Sequence, residues 1–573
     1  MSEAKLSMEL AEAASMAASP DRGEEQERRL GLRWRKAVGG SAPPSAARGL
    51  QLDEERARAG EELSSTRRSQ VEDRGHSAGR EGAAPPSSTS STTLTSWFSR
   101  GRPKLQPAQL KEESPMASPP VVETRSVADV KGESGAGALE FDVIVYGASG
   151  VTGRRIVAEF LREGAGLSPP LRVAAAGRSE ERVRAALDAE GLPADSIPVV
   201  VAGNGVAESS RAASLRRMAG RCRLVLNAAG PYRDSGDAVV KACVECGTDY
   251  VDVTGEPLFI ERTLLRHGAR AVQTGSRVVN CCGFDSVPAD LGVARCEAEF
   301  AAAGALLCEV ESFLTVSGGG AKVRANSTTF ECAVRGVSDM ASLVDARRSI
   351  EEAGLMPRGV QPLGKRQKVQ DFMYSDVLAK NAAKFMGSDA AVVRRSVRAR
   401  SEDSQRPCVQ YAAYMTLPDL WAVFLYSFYG TIVASLAKLG PPFRALMIRF
   451  PGWFTGGLFS KSGPTTGYLE KGSFEMRFLC RGISMDALNA GRIEERDVLM
   501  DCRVAGPEAG YVATPIMAVA CATGLLRDTG CTFRGGVATP SLGLSGILDP
   551  FWARVGRRGI RFEVLSPLRK EAA

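Results

Sequence analysis

The stretch FDVIVYGASGVTGRRIVAEFL, Phe141 to Leu161, decides the fold. A β-prone run ends at Tyr146, three glycines follow at a spacing of three, and a helical pattern begins near Val151. At such a junction unpaired backbone N–H groups and the positive end of the helix dipole face one point, which suits a diphosphate. Gly147 permits the sharp turn, Gly150 allows close approach, and Gly153 lets the helix pack on the strand. Ala148, Ser149, Val151 and Thr152 fill the turn, and the Ser149 and Thr152 hydroxyls add donors. The GxxGxxG spacing is weak alone and takes its weight from what surrounds it.

What surrounds it is a series of short Val- and Ile-rich runs: FDVIVY, LRVAAAG, IPVVVAG, RLVLNAAG, DYVDV and RVVNCCG, up to about Gly292. Helical stretches alternate with them. That alternation signals βαβ units and a parallel sheet covered on both faces. The second run ends in Gly177-Arg178-Ser179, and Arg178 lies 25 residues beyond Gly153. A site preferring NAD usually places an acid there. A guanidinium instead suits a 2′-phosphate, so the expected cofactor is NADP(H). The fourth run ends in Asn227-Ala228-Ala229-Gly230-Pro231-Tyr232, small residues expected beside the ribose and nicotinamide.

Composition bounds the rest. The chain has 573 residues and a net charge of +7, a mild value that does not favour nucleic acid. Residues 1–140 carry 20 basic and 21 acidic residues and no cysteine. Ser/Pro-rich runs such as APPSSTSSTTLTSW mark 1–138 as a disordered tail, with a short helix near 51–63. The N-terminus lacks the apolar core of a secretory signal. All 13 cysteines follow the tail, scattered and odd in number, as expected of reduced thiols. Cys243 and Cys246 form a lone CxxC on a predicted helix and read as core residues; no metal site is expected. Only His76 and His267 are present, which excludes multi-histidine metal sites and leaves no room for an ordinary Ser-His-Asp triad. His267 reads as a partly exposed helix residue.

Beyond Gly292 the pattern is α+β. A strand is expected at ALLCEVESFLTVSGG, a long helix over 327–350, loops and short strands over 355–407, and paired strands near 472–483 and 497–505. Another helix is expected over 510–526. Leu420–Ala437 runs 18 residues without a charge. It is followed by aromatic residues interleaved with Lys438, Arg444, Arg449 and Lys461, a pattern suited to an apolar–water interface. A buried helix with a covered loop is an equally open reading.

Together, GASGVTG (147–153), AGRS (176–179), NAAGPY (227–232), YVDVTGE (250–256), GFDSVPADLG (283–292), GPTTGYLEKGSF (463–474), GPEAGYVATPIMA (506–518) and GGVATP (535–540) resemble the saccharopine dehydrogenase-like oxidoreductases, which include the trans-acting enoyl reductases. The resemblance covers about 141–560. It implies a Rossmann domain at 139–295, an α+β saccharopine-reductase-like domain at 296–505 with an apolar lipid-facing segment at 420–460, and a segment 506–573 returning to the first domain. It implies NAD(P)-linked reduction of a lipid or glycolipid precursor at a lipid droplet or membrane, on the cytoplasmic side, with a mitochondrial location as the alternative. No basic cluster for a dicarboxylate substrate is identifiable, so a lysine-pathway role does not follow.

An enoyl reductase needs a proton donor beside its hydride source. The candidates are Tyr232, Asp252 and Glu256 at the carboxyl edge of the sheet; Asp285 is read first as a helix N-cap. The expected partners are a lipid substrate and a membrane or lipid-droplet surface contacted through 420–460, without nucleic acid; a homodimer is left open. Two other readings stand: a non-catalytic NADP-binding protein on lipid droplets, and a soluble amino-acid dehydrogenase.

Overall fold

The computed structural model describes residues 139–164 and 166–570. The tail expected over 1–138 and its short helix near 51–63 lie outside the described residues.

Six strands open the fold: β1 (Phe141–Tyr146), β2 (Val173–Gly177), β3 (Val199–Val201), β4 (Cys222–Asn227), β5 (Asp249–Asp252) and β6 (Arg277–Val279). They pair in parallel in the order β6-β5-β4-β1-β2-β3. The chain runs outward from β1 to β3, then restarts at β4 on the other side of β1. Strand order therefore reverses between β1 and β4, the place where such sheets bind ligands. Every residue of β1 is buried. Val143 and Val145 enter the core shared with the helix Val151–Gly164, whereas Ile144 and Tyr146 enter a second core with the helix Tyr232–Glu245. Continuous apolar strands are what a sheet covered on both faces requires.

The helix Val287–Ala302 leads to the second sheet. That sheet contains β7 (Ala305–Ser317), β9 (Phe372–Ser375), β10 (Lys380–Lys384), β11 (Gln410–Leu417), β13 (Ser473–Ser484), β14 (Val498–Pro507) and β16 (Arg561–Lys570), in the order β16-β14-β13-β7-β11-β10-β9. All its pairs are antiparallel except β7 with β11. Helix and sheet fit closely: a Cβ on Gly292 would stand 2.5 Å from the Phe478 ring. Two short strands, β8 (Ala325–Asn326) and β12 (Phe459–Ser460), pair separately. The strand β15 (Gly536–Ala538) pairs with β6 and completes the first sheet at seven strands.

Four expectations change. Segment 506–573 does not return wholly to the first sheet, because β16 edges the second. The long helix over 327–350 is two helices, Ser327–Ser338 and Met340–Glu352, parted at Asp339, whose carboxylate pairs with Arg233. The polar stretch 355–407 contains a 16-residue helix, Asp389–Ser404. Its arginines disguised it: Arg395 is buried against Glu261, and Arg400 reaches Glu297 at 2.7 Å, while Val392, Val393 and Val397 face the core. His267 is buried rather than partly exposed, with Nε2 3.1 Å from Asp237 Oδ1.

Candidate cofactor and active site

The glycine turn is built as its spacing predicts. Gly147 has φ +89°, and a Cβ there would lie 2.7 Å from Ala229 N, so the turns after β1 and β4 touch backbone to backbone. A Cβ on Gly153 would meet Gly147 O at 2.2 Å. Gly150 N–H closes the turn onto Gly147 O at 3.0 Å, and Ser149 and Gly150 are exposed. Among the described residues, the N–H groups of Ser149, Val151, Thr152 and Gly153 donate to no backbone carbonyl. They form an anion cradle at a helix N-terminus, with no side chain across it. Ala148 takes a different part: its methyl is buried and its N–H donates to Ala176 O at 3.0 Å, so it braces the turn from behind.

Arg178 leaves the end of β2 exposed, with no hydrogen-bond or ion-pair partner among the described residues. Its neighbour Ser179 caps the helix Glu180–Ala189, accepting from Arg182 N at 3.3 Å. The cap fixes the backbone and leaves the guanidinium exposed at the end of β2. Asn227 is spent internally: Nδ2 donates to Tyr250 Oη at 3.1 Å and Oδ1 accepts from Ala229 N at 3.0 Å. It shapes the loop so that Ala228, Ala229 and Gly230 present a low surface to a ligand.

The three acid candidates lie together behind this edge, each already engaged. Tyr232 is buried; its hydroxyl donates to Asn227 O at 2.9 Å, and burial followed by the Asp252 charge pushes its pKa well up. Asp252 is fully buried and accepts from Tyr250 Oη (2.9 Å), Asn280 Nδ2 (2.7 Å), Cys281 N (2.9 Å) and Thr254 N (3.2 Å). Burial outweighs those donors and raises its pKa to about 6. Glu256 accepts from Tyr232 N and Arg233 N at the start of the helix Tyr232–Glu245, and from Arg233 Nε. The three tie the loops after β4 and β5 to one another.

Asp285 departs from its expected role. The cap position of the helix Val287–Ala302 is Ser286, whose side chain makes no capping bond. The Asp285 carboxylate has no hydrogen-bond partner among the described residues, and burial alone raises its pKa. A Cβ on the exposed Gly255 would lie 3.1 Å from Asp285 Oδ2, so this carboxylate overhangs the turn after β5.

Reasoning from sequence missed Arg233, which bridges Glu256 and Asp339, and Cys332, whose thiol approaches Glu256 Oε1 at 3.5 Å. It also missed Thr514, whose hydroxyl accepts Phe284 N–H at 3.0 Å and holds the Asp285 loop. Asp389 was hidden in a stretch read as loops. Cys296, Cys480 and Cys502 bring their sulfurs within 4.8 Å of one another in the core between the helix Val287–Ala302 and the second sheet, a meeting that no local spacing announces.

A phosphate cradle at the switch point, a free arginine at the end of β2 and buried carboxyl groups at the carboxyl edge define an NADP-binding oxidoreductase. The description "Saccharopine dehydrogenase NADP binding domain" matches residues 143–279. A saccharopine dehydrogenase-like oxidoreductase of Rattus norvegicus is 36% identical over 433 residues, 74% of this chain and 97% of its own. The lipid droplet localized protein of Caenorhabditis elegans is 33% identical over 401 residues, 68% of this chain and 90% of its own. A putative trans-acting enoyl reductase of Mycobacterium tuberculosis is 36% identical over 230 residues, 39% of this chain and 51% of its own. The chain belongs to the saccharopine dehydrogenase-like oxidoreductases.

Proposed function

We propose that the protein uses NADPH to reduce a lipid or lipid-precursor substrate while seated on a membrane or lipid-droplet surface. The observation that carries this reading is the helix Leu420–Lys438: of its 19 residues only Ala437 is buried. Trp421, Phe424 and Phe428 form an exposed ladder, with ring centroids 5.2 Å and 5.9 Å apart. Phe443, Leu446, Phe450 and Trp453 are exposed as well, interspersed with Arg444 and Arg449. Soluble proteins rarely expose so continuous a patch. Aromatic rings with interspersed bases suit the boundary between acyl chains and headgroups, where each fully buried large apolar side chain contributes about 1.5–3 kcal/mol. Phe330, Val334 and Met447 anchor the base of this layer to the body of the fold.

When bound, NADPH supplies the hydride. The cradle at 149–153 holds its diphosphate, Arg178 takes the 2′-phosphate, and the low surface of Ala228, Ala229 and Gly230 admits the nicotinamide end. The names of the nematode and mycobacterial relatives support a lipid-droplet location and an enoyl substrate respectively. A second reading, NADP(H) binding without turnover, is favoured by the engagement of Tyr232, Asp252 and Glu256.

Flotation with anionic phospholipid vesicles tests the surface. The full chain should float, and Trp421→Ser/Phe424→Ser/Phe428→Ser should stay in solution with unchanged NADPH affinity; equal flotation of both would sink the lipid-surface reading. Loss of reduced-nicotinamide absorbance with a panel of enoyl- and keto-lipid thioesters separates the two readings. Binding without consumption across the panel would select the second.

A further inference from the structure

Cys296, Cys480 and Cys502 come from three separate elements: the helix Val287–Ala302, β13 and β14. Their sulfurs all lie within 4.8 Å of one another, and none of the three residues is more than 1% exposed. Gly292 lets this meeting happen. With no Cβ, it allows the helix to lie against the Phe478 ring, and Cys296, one turn further on, comes down onto the sheet. Phe478 stands directly across from Cys502, and Cys480 across from Met500, so these four side chains share the face that the helix covers.

The donor set is soft and dry. Among the described residues no His, Asp or Glu side chain joins the three sulfurs. Met500 adds a thioether on the same face, since residues directly opposite in an antiparallel pair hold their Cβ atoms about 4.5–5.5 Å apart. Zinc takes four ligands, and a site with three cysteines is completed by histidine or by water. Here burial excludes water, and His267 is bonded to Asp237 in the first domain. Thiolates and thioethers select Cu(I), a soft ion content with three ligands.

Charge also favours a monovalent ion. The Cys296 and Cys480 thiols draw the pKa of Cys502 down, whereas burial drives their own up, so Cys502 is the first of the three to ionise. An unpaired negative charge is costly in an apolar core, and a single positive charge offsets it.

We propose that Cys296, Cys480 and Cys502 bind one Cu(I) ion in a closed structural site between the helix Val287–Ala302 and the second sheet. No electron is exchanged: copper enters in its monovalent state, and each sulfur that binds as a thiolate gives its proton to solvent. The site has no position open to a substrate, so the ion takes no part in turnover. It ties the helix that follows the Asp285 loop to the sheet beneath it. Because the sulfurs are sealed from solvent, the ion is taken up while the chain folds. This inference stands apart from the reductase reading.

The full chain, produced in medium supplemented with both copper and zinc and then washed with a strong Cu(I) chelator, provides the test. The wild type should retain one copper per chain and no matching zinc. X-ray absorption at the copper edge should show monovalent copper bound by sulfur alone. Cys480→Ala/Cys502→Ala should lose the copper. Cys308→Ala, which removes another buried thiol of the same sheet, should keep it. Unchanged NADPH affinity shows that a variant has folded; should the double variant fail to fold, the wild-type metal content and ligation decide. A wild type without chelator-resistant copper, with zinc in its place, or with nitrogen or oxygen ligands overturns the site. So does copper retained by a folded double variant.

Discussion

Glu256 closes the N-terminus of the helix that Tyr232 begins: one oxygen accepts Tyr232 N–H at 2.7 Å and the other meets Arg233 Nε at 2.8 Å. Both side chains are largely buried, and Arg233 continues to Asp339 in the second half of the fold. The pair therefore joins two loops of the cofactor domain to a helix junction about 80 residues further on. Removing one member strands a buried charge, at a cost of about 3–5 kcal/mol. Glu256→Ala should lower the midpoint of thermal unfolding sharply, and Arg233→Ala/Glu256→Ala should lose less than the sum of the single changes. Additive losses would show that the two groups are not coupled.

Arg178 is the residue expected to set cofactor choice. Arg178→Asp should weaken NADPH binding by roughly 10- to 100-fold, consistent with losing a charge-assisted contact of about 1.5–3 kcal/mol, and should spare NADH. Titration of nicotinamide fluorescence with each cofactor reads the ratio. Equal losses for both would place Arg178 outside the 2′-phosphate site.

Gly153→Ala should abolish high-affinity NADPH binding. The added methyl would stand 2.2 Å from Gly147 O, a backbone atom that moves only if the turn opens. Gly164→Ala is the control, since nothing lies within 4 Å of its Cβ position in the same helix. Calorimetric titration should separate the two variants.

Asp389 ties stability to pH. Its folded pKa is raised above the ordinary value of 3.8, so its favourable contribution is complete below that value and is lost as pH rises through neutrality. Asp389→Asn should therefore unfold at a higher temperature than the wild type at mildly alkaline pH, with the gap narrowing toward pH 5. A constant gap would mean that Asp389 is not raised.

Tyr232→Phe removes one donor, to Asn227 O, worth about 1 kcal/mol. A small fall in the unfolding midpoint with unchanged NADPH affinity is expected. A large fall in turnover without a change in stability would return the Tyr232 hydroxyl to the chemistry.

The first sheet was legible because its information is local. Each strand is a short apolar run, and the turn at 147–153 announces its own geometry through Gly147 and Gly153. The position of Arg178 at the end of β2 was legible because the run LRVAAAG announces that strand. The carboxyl groups behind that edge were harder to read. Tyr232, Asp252 and Glu256 have suitable chemistry at a suitable edge, yet their partners, Asn227 O, Asn280 and Arg233, come from other loops and spend their capacity. Asp285 sits where a cap would, but the helix turns at Ser286 and leaves the carboxylate unbonded. Asp389 comes to the same loop from 104 residues away, where Ser388 meets Ser286, in a helix whose buried arginines conceal its apolar face.

The placement of β15 in the first sheet and β16 in the second has a temporal consequence. A chain emerging from the ribosome has made the nucleotide-binding turn long before residues 536–570 exist, yet neither sheet has its full set of strands until they arrive. During synthesis β6 and β14 both present open edges, and both close within the same 35 residues. Maturation should thus be a late, concerted event, with chaperone dependence concentrated in the interval before that segment is released.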